Sequence, residues 1–524
     1  REVSPVRGFQ SSMDYKQIIG LGKFTSIDSV VVTWPDRTET TYRDLPVDRL
    51  HQLKQDGANS KKITNEIMAA TTLFQPAATA FDKHVEDDFI DFYFERNVPE
   101  LLSHEGPHVA KGDVNGDGWE DLYIGGAKNQ PGQLYLQTAE GKFVKKEEAV
   151  FQQFRDFEDV AVLFFDADKD GDLDLFIGAG GNNVPRGNRA IEHRLYINDG
   201  TGNFMLNAKA FTTNDANIAV AVAYDYDGDG DEDLFVGGRS VPYAYGASPR
   251  SYLYQNDGAS NFADVTKTVC SSLENIGMIT AAAWADVTGD SRKELIVTGE
   301  WMATRIFSFQ NGKLEEIKNT GLETLSGWWQ SLAVADVNGD GRQDLVLGNI
   351  GENFYLRPTK EAPVKLWVKD FDNNNIPDQF LTRTVAGRDM PVFLKREITD
   401  QFPFLKKDNL RHSDYAKKSI QDLFGEEMLA SAQQLAFNYA ASVVALNQGN
   451  GKFSMQPLPV PVQLSSVNAI CPTDINGDGA VDLLLGGNLF TFPPQFGRLD
   501  ASYGHLLLNN GKGNFTYVDN KTSG

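Results

Sequence analysis

Short apolar runs alternating with acidic turns occupy most of this chain. Leu122-Tyr123-Ile124 and Leu234-Phe235-Val236 are runs of this kind, too short for helices and rich in the aliphatic and aromatic residues that favour strands. Downstream of the clear turns, a further strand ends in a polar turn and a phenylalanine. The segments are Leu195-Tyr196-Ile197-Asn198-Asp199-Gly200 to Phe204, Leu253-Tyr254-Gln255-Asn256-Asp257-Gly258 to Phe262, and Leu506-Leu507-Leu508-Asn509-Asn510-Gly511 to Phe515. Asn-Asp-Gly and Asn-Gly tolerate positive φ and close tight hairpins. One repeat therefore reads strand, acidic loop, strand, long loop, strand, tight turn, strand.

Four antiparallel strands in each repeat of ~50–60 residues predict an all-β, seven-bladed β-propeller over residues 105–524. The rhythm falters between residues 337 and 465, where two acidic loops are 34 residues apart and the next follows 104 later. A helical insertion is expected there, at about 397–435. Ser413 would cap a helix with Tyr415, Ala416, Ile420, Leu423 and Phe424 on its apolar face, and Gly425 would stop it. This counts as seven blades with the sixth interrupted; six blades with a distorted fifth is the alternative. Residues 1–57 read as a small β-domain, with a strand over Ser26–Trp34, a turn at Pro35-Asp36-Arg37 and a return over Thr38–Tyr42. Residues 58–104 read as a polar connector ending in the aromatic stretch Phe89–Phe94.

The acidic loops share the pattern D-x-[D/N/T]-x-[D/N]-x-x-x-[D/E]. Side-chain oxygens at positions 1, 3, 5 and 9, with a backbone carbonyl at 7, can wrap one hard cation, and calcium prefers such cages. The first loop offers Asp113, Asn115, Asp117 and Asp121 with the carbonyl of Trp119; the second, Asp166, Asp168, Asp170 and Asp174 with Asp172; the third, Asp225, Asp227, Asp229 and Asp233 with Asp231. The fifth offers Asp336, Asn338, Asp340 and Asp344 with Arg342, and the seventh Asp474, Asn476, Asp478 and Asp482 with Ala480. The fourth departs, with Asp286, Thr288, Asp290 and Glu294, Arg292 at position 7 and Ser291 in place of glycine. So does the sixth, with Asp370, Asp372, Asn374 and Asp378, Ile376 at position 7 and Asn375 in place of glycine. Those two are expected to bind most weakly. Position 12 of the first loop is Ile124, inside a strand, which rules out an EF-hand. Up to seven structural calcium ions are expected.

Charge narrows the partners. A net −23 repels nucleic acid, and seven divalent ions would bring it to about −9. No stretch approaches the ~20 apolar residues of a membrane span. The two cysteines, Cys270 and Cys471, are far apart; Cys471, in the apolar run Val467–Pro472, is expected to be a buried thiol. The chain opens on Arg1 and reads as a mature form or a piece of a longer multi-domain protein.

The string Asp113-Val114-Asn115-Gly116-Asp117-Gly118-Trp119-Glu120-Asp121-Leu122 and its relatives resemble the FG-GAP (VCBS-type) repeats of integrin α-subunit propellers and bacterial surface proteins. Gly8-Phe9-Gln10-Ser11-Ser12, Gly20-Leu21-Gly22 and Val32-Thr33-Trp34-Pro35-Asp36 resemble the end of an ASPIC/UnbV domain. In the cartilage-acidic-protein arrangement that domain follows a propeller, so another propeller is expected upstream. The resemblance implies seven blades, calcium in the blade loops and an extracytoplasmic place, at the cell surface or secreted, in a Gram-negative bacterium. It implies no established enzyme activity.

In such a topology the acidic loops and tight turns share one face, and the long loops 178–193, 237–250 and 486–504 share the other. Arg186, Arg239, Tyr243 and Arg498 lie in those loops; Trp301 follows the second strand of the fourth blade, and Trp328 sits just before the innermost strand of the fifth. Arginine and aromatic side chains anchor binding surfaces. The expectation is a non-catalytic binding or adhesion face for a glycan or a surface protein. The alternatives are a polysaccharide lyase or hydrolase and a purely structural module. No catalytic residue is assigned: His104 and His108 stand four apart, but Glu105-Gly106-Pro107 between them breaks a helix, so no zincin site forms.

Overall fold

The structure, a computed structural model, describes residues 11–12, 14, 16–55, 60–62, 72–75, 77 and 81–524. The chain divides into two compact units, Arg1–Thr72 and Leu73–Gly524. In the first, Ser26–Thr33 and Thr38–Pro46 pair antiparallel, and Ser60–Lys62 adds a third strand. Asp36 sets the turn by accepting the Thr38 N–H at 3.1 Å and its hydroxyl at 2.8 Å, while Arg37 takes φ 62°. Gly8, Phe9 and Gln10 of the N-terminal motif lie outside the described residues.

Six sheets of the second unit carry repeats. They span 109–146, 159–206, 217–264, 278–328, 331–348 joined to 443–457, and 469–518. In the first, Val109–Gly112, Asp121–Ile124, Gln133–Gln137 and Phe143–Lys146 pair antiparallel in chain order. The fourth gains a further strand, Gly327–Trp328, beside Glu294–Met302. Apolar clusters fill the gap between each repeat sheet and the next.

The seven-bladed propeller is not what forms. The Asp370 loop joins Val364–Lys369 to Asp378–Val385 in an inserted sheet, where Val364–Lys369 is flanked by Asp378–Val385 and Gln433–Phe437. That sheet interrupts the fifth repeat, whose Leu345, Val346 and Leu347 pair with Ala445, Val444 and Val443 across it. The sheets remain separate and open, and none closes on itself. First strands of successive repeat sheets pack on one another, but Ala469–Thr473 makes no comparable contact with Val109–Gly112. Side-chain ties follow the same order. Asn198, Asn256, Asn447 and Asn509 each donate their amide to a loop carbonyl of the preceding sheet, on Val114, Ala167, Val287 and Val337, at 2.6–2.9 Å. Among the described residues, no such tie or apolar cluster joins the first repeat sheet to the last.

The expected single helix is instead a series of short ones, including His412–Tyr415 and Ile420–Phe424. Ser419 rather than Ser413 is the cap, because Ser419 and Asp422 satisfy each other's backbone N–H groups; Gly425 ends the turn at φ 81°. Cys471 is exposed, since its strand alternates and the cysteine falls on the outward side; Cys270 is the buried thiol.

Candidate metal centres and the covered face

Each acidic loop folds around its first aspartate. Asp113 accepts the N–H groups of Gly116 and Gly118, both at 2.8 Å; Asp225 accepts those of Gly228 and Gly230 at 2.7 and 3.0 Å. The glycines sit at positive φ, 72° and 87° in the first loop. The ninth position braces the loop to the sheet. Asp121 accepts Val114 N at 3.1 Å and Gln137 N, on the third strand, at 2.8 Å; Asp174, Asp233, Asp344 and Asp482 repeat both bonds. The loop residues lie at the ends of paired strands, so their oxygens are held before any ion arrives.

Three loops bring carboxylates together. The ligand atoms of Asp166, Asp168 and Asp174 lie within 4.8 Å of one another, as do those of Asp225, Asp227 and Asp229, and of Asp370, Asp372 and Asp378. An all-oxygen donor set at this spacing can chelate a hard divalent ion. Burial, aided by neighbouring aspartates, pushes Asp174 and Asp233 up to about 7 and raises Asp168, Asp227 and Asp378. A cation would relieve that repulsion.

The sixth loop, expected to bind weakly, is among the three whose carboxylates converge. Asn373 and Asn375 adopt φ 60° and 68°, doing the work of glycine, and Asn375 N still reaches Asp370 at 2.8 Å. Elsewhere the donors are partly engaged. Asn115 and Asn338 accept the N–H of Asp117 and Asp340, both at 3.0 Å; Arg342 pairs with Asp340; Asn476 donates to Asp478 at 2.9 Å. In the fourth loop Thr288 donates to Glu294 at 3.2 Å. The third loop also engages its neighbour, Lys169 reaching Asp231 at 2.8 Å.

The opposite end differs from the expected binding face. Trp301 and Trp328 are 3% and 0% exposed, inside one apolar cluster with Phe354, Phe437 and Phe492. A bulge at Glu300/Met302 gives Trp301 φ 59° and lets its indole donate to Tyr245 Oη at 2.8 Å. Arg239, 4% exposed, is likewise no surface anchor. Its Nε meets Glu105 at 2.8 Å and its Nη2 meets Glu300 at 2.7 Å and Glu100 at 3.4 Å. Tyr245 Oη lies 3.2 Å from Glu100 and 3.1 Å from Glu300. The cover is residues 91–105, all but the last assigned to a connector from sequence, together with the inserted sheet. Asn182 ties its loop to Asp91 at 2.9 Å and Glu95 at 2.6 Å. Of the expected anchors, Arg186, Tyr243 and Arg498 stay at least partly accessible: Arg186 pairs with Asp215, Tyr243 stacks near Phe94, and Arg498 lies over Phe490.

Sequence reasoning missed Glu100, Glu105 and Glu300. Burial drives Glu100 well up and Glu105 to about 7; Glu300 is lowered, its burial outweighed by Arg239. Beside this cluster a cavity of about 710 Å³ opens where the repeat sheets meet. Val109, Val160, Ala219, Thr280, Gln330 and Ala469, at or next to the beginnings of the six first strands, all line it.

Family comparison shows both domain types in the chain. The ASPIC and UnbV domain matches residues 1–60, and the FG-GAP-like repeat matches residues 113–177 and 286–347. No curated protein matches. Among solved structures, an Agrocybe aegerita lectin described for specific recognition of non-reducing terminal N-acetylglucosamine is 16% identical, with 79% of each chain covered and a TM-score of 0.43. The V. cholerae biofilm matrix protein Bap1 is 12% identical, with 82% of each chain covered and a TM-score of 0.32. BBS1N, solved with ARL6DN, is 13% identical over 74% of this chain and 90% of its own, with a TM-score of 0.30. No helix among the described residues is long and apolar enough to cross a membrane.

Proposed function

We propose that this chain is a calcium-stabilised, non-catalytic binding module that works outside the cytoplasm, taking a glycan or a surface protein as partner. The observation that carries the reading is the convergence of three sets of aspartates, each within 4.8 Å, in loops already braced to their sheets. Calcium fits the oxygen-only donors and the irregular loops better than magnesium, which demands near-octahedral geometry. Loops of this type fill at extracellular calcium levels, which supports the assigned location. The loops at Asp166, Asp225 and Asp370 are the strongest sites, and the Asp286 loop is the weakest. Arg186, Tyr243 and Arg498 remain as surface contacts for the partner.

The test is metal analysis of the purified chain, with thermal unfolding before and after chelation. At least three calcium ions per chain are expected. A ligand present at 100 times its Kd adds about 2.7 kcal/mol, so the melting temperature should fall on chelation and return with calcium. A calcium-free chain whose melting ignores chelator would end this reading. Glycan-array and pull-down binding, compared between wild type and Arg186→Ala, tests the partner surface.

A further inference from the structure

The second and third acidic loops carry the same acidic set, with aspartate at positions 1, 3, 5, 7 and 9. On sequence alone they are equal sites. They differ at position 4, where the first, third, fourth, fifth and seventh loops have Gly116, Gly228, Gly289, Gly339 and Gly477, all at positive φ. The sixth has Asn373 at φ 60°, a region that asparagine tolerates. The second has Lys169, at φ 65°. A long side chain is unfavourable there and persists only where its surroundings hold it, so the position asks for a reason.

The reason lies in the next loop. Lys169 Nζ is 2.8 Å from Oδ1 of Asp231, position 7 of the third loop, and Asp225 and Asp229 also act on the ammonium electrostatically. The Lys169 N–H meanwhile donates to Asp166 Oδ1, inside its own loop, at 2.8 Å. A second tie runs alongside, as Asp166 donates its N–H to Glu232 Oε2 at 3.3 Å. The lysine thus belongs to the second loop by its backbone and to the third by its side chain. Among the described residues, no other ion pair joins two acidic loops. The third loop is further engaged at Asp227, which accepts the Gln255 amide at 2.6 Å; the second sheet has the apolar Ile197 at the matching place on its third strand.

We propose that Lys169 is a built-in counterion that ranks these two calcium sites and couples them, the second loop binding more tightly and the third more weakly than its aspartates alone would. The proposal rests on the reading of the loops as calcium sites and adds an order of filling. An ammonium on Asp231 offsets part of the charge that draws a cation into the third loop, and it repels the cation that enters. Filling the second loop fixes the backbone that carries Lys169, which keeps the ammonium in place. Such coupling is reciprocal, so an ion in the third loop weakens the second by the same factor.

The test measures calcium affinities of the full chain by competition with a chromophoric chelator. Wild type is compared with Lys169→Gly and Lys169→Asn, each also combined with Asp227→Asn, which disables the third loop. Glycine and asparagine both suit positive φ, so neither change should lower the melting temperature. One site should tighten by about two- to fivefold, the range of a partly exposed ion pair. The gain should shrink at high salt and vanish in the Asp227→Asn background. Lys169→Arg, which keeps the charge, should stay near wild type. Titrations unchanged in both Lys169 variants, or the same gain with the third loop disabled, overturn the proposal while leaving the calcium sites standing. A wild-type chain that takes up no calcium ends the module reading and this proposal together.

Discussion

The two ends of the repeat sheets solve opposite problems with the same chemical group, the carboxylate. At the loop end, aspartates spaced two apart face solvent, each first aspartate is wrapped by backbone N–H groups, and the surplus charge awaits a cation from solution. At the covered end, Glu100, Glu105 and Glu300 come from distant parts of the chain, lie buried, and share one guanidinium. The first arrangement can take a counterion from solution; the second supplies its own. Acid content alone therefore says little about whether a site binds metal. What separates the two is whether a cation already belongs to the fold.

The strongest way to break this comparison is to remove the internal counterion. Arg239→Met should cost about 3–5 kcal/mol, because it leaves carboxylates buried and unpaired. Thermal unfolding would show it as a larger fall than any single loop substitution, and adding Glu300→Gln to the variant should recover part of the loss. A melting temperature unmoved by Arg239→Met would show that the guanidinium is not what holds the covered end.

A smaller effect is expected from pH at the loop end. Asp174 and Asp233 are raised to about 7 in the metal-free fold, against an ordinary value near 4 in the unfolded chain. Between those values the folded form holds protons that the unfolded chain has released. Metal-free stability should therefore fall as pH rises from about 4 to 7, by this contribution. Calcium, which binds the ionised carboxylates, should flatten or reverse that slope. Melting curves across the window, with calcium and with chelator, check the sign; a chelated protein that gains stability over this range would contradict it.

The same contrast explains what could be read in the sequence. The loop end is local: nine consecutive residues carry the ligand pattern, the flanking strands pair directly across it, and Asn-Asp-Gly turns close the hairpins. Asp113–Asp121 and its relatives were legible for that reason. The covered end is not local. Glu100 and Glu105 sit at the end of a stretch whose polarity looks like a solvated connector, and only Arg239, 139 and 134 residues away, makes their burial tolerable. Trp301 and Trp328 carry the composition of a binding surface, but a bulge turns one inward and an added strand buries the other. The Asp370 loop misled the repeat count because its local pattern is sound, while the strands around it pair within an inserted sheet. Local motif and sheet membership are fixed by different contacts, and only the first is written in consecutive residues.

The smallest expected effect sharpens the comparison from its other side. Arg186 pairs with Asp215 at 2.5 Å, a distance like those in the Arg239 cluster, but its side chain is 64% exposed. Solvent already screens both charges, and fixing two side chains costs entropy, so such a pair contributes about 0–1 kcal/mol. Arg186→Ala should leave melting nearly unchanged and should not alter the calcium response. Placed beside Arg239→Met, it compares an exposed single pair with a buried guanidinium shared by three carboxylates. Equal losses in the two variants would mean that contact geometry, rather than exclusion of water, sets the cost. A large loss at Arg239 with almost none at Arg186 would tie the stability of the covered end to its burial.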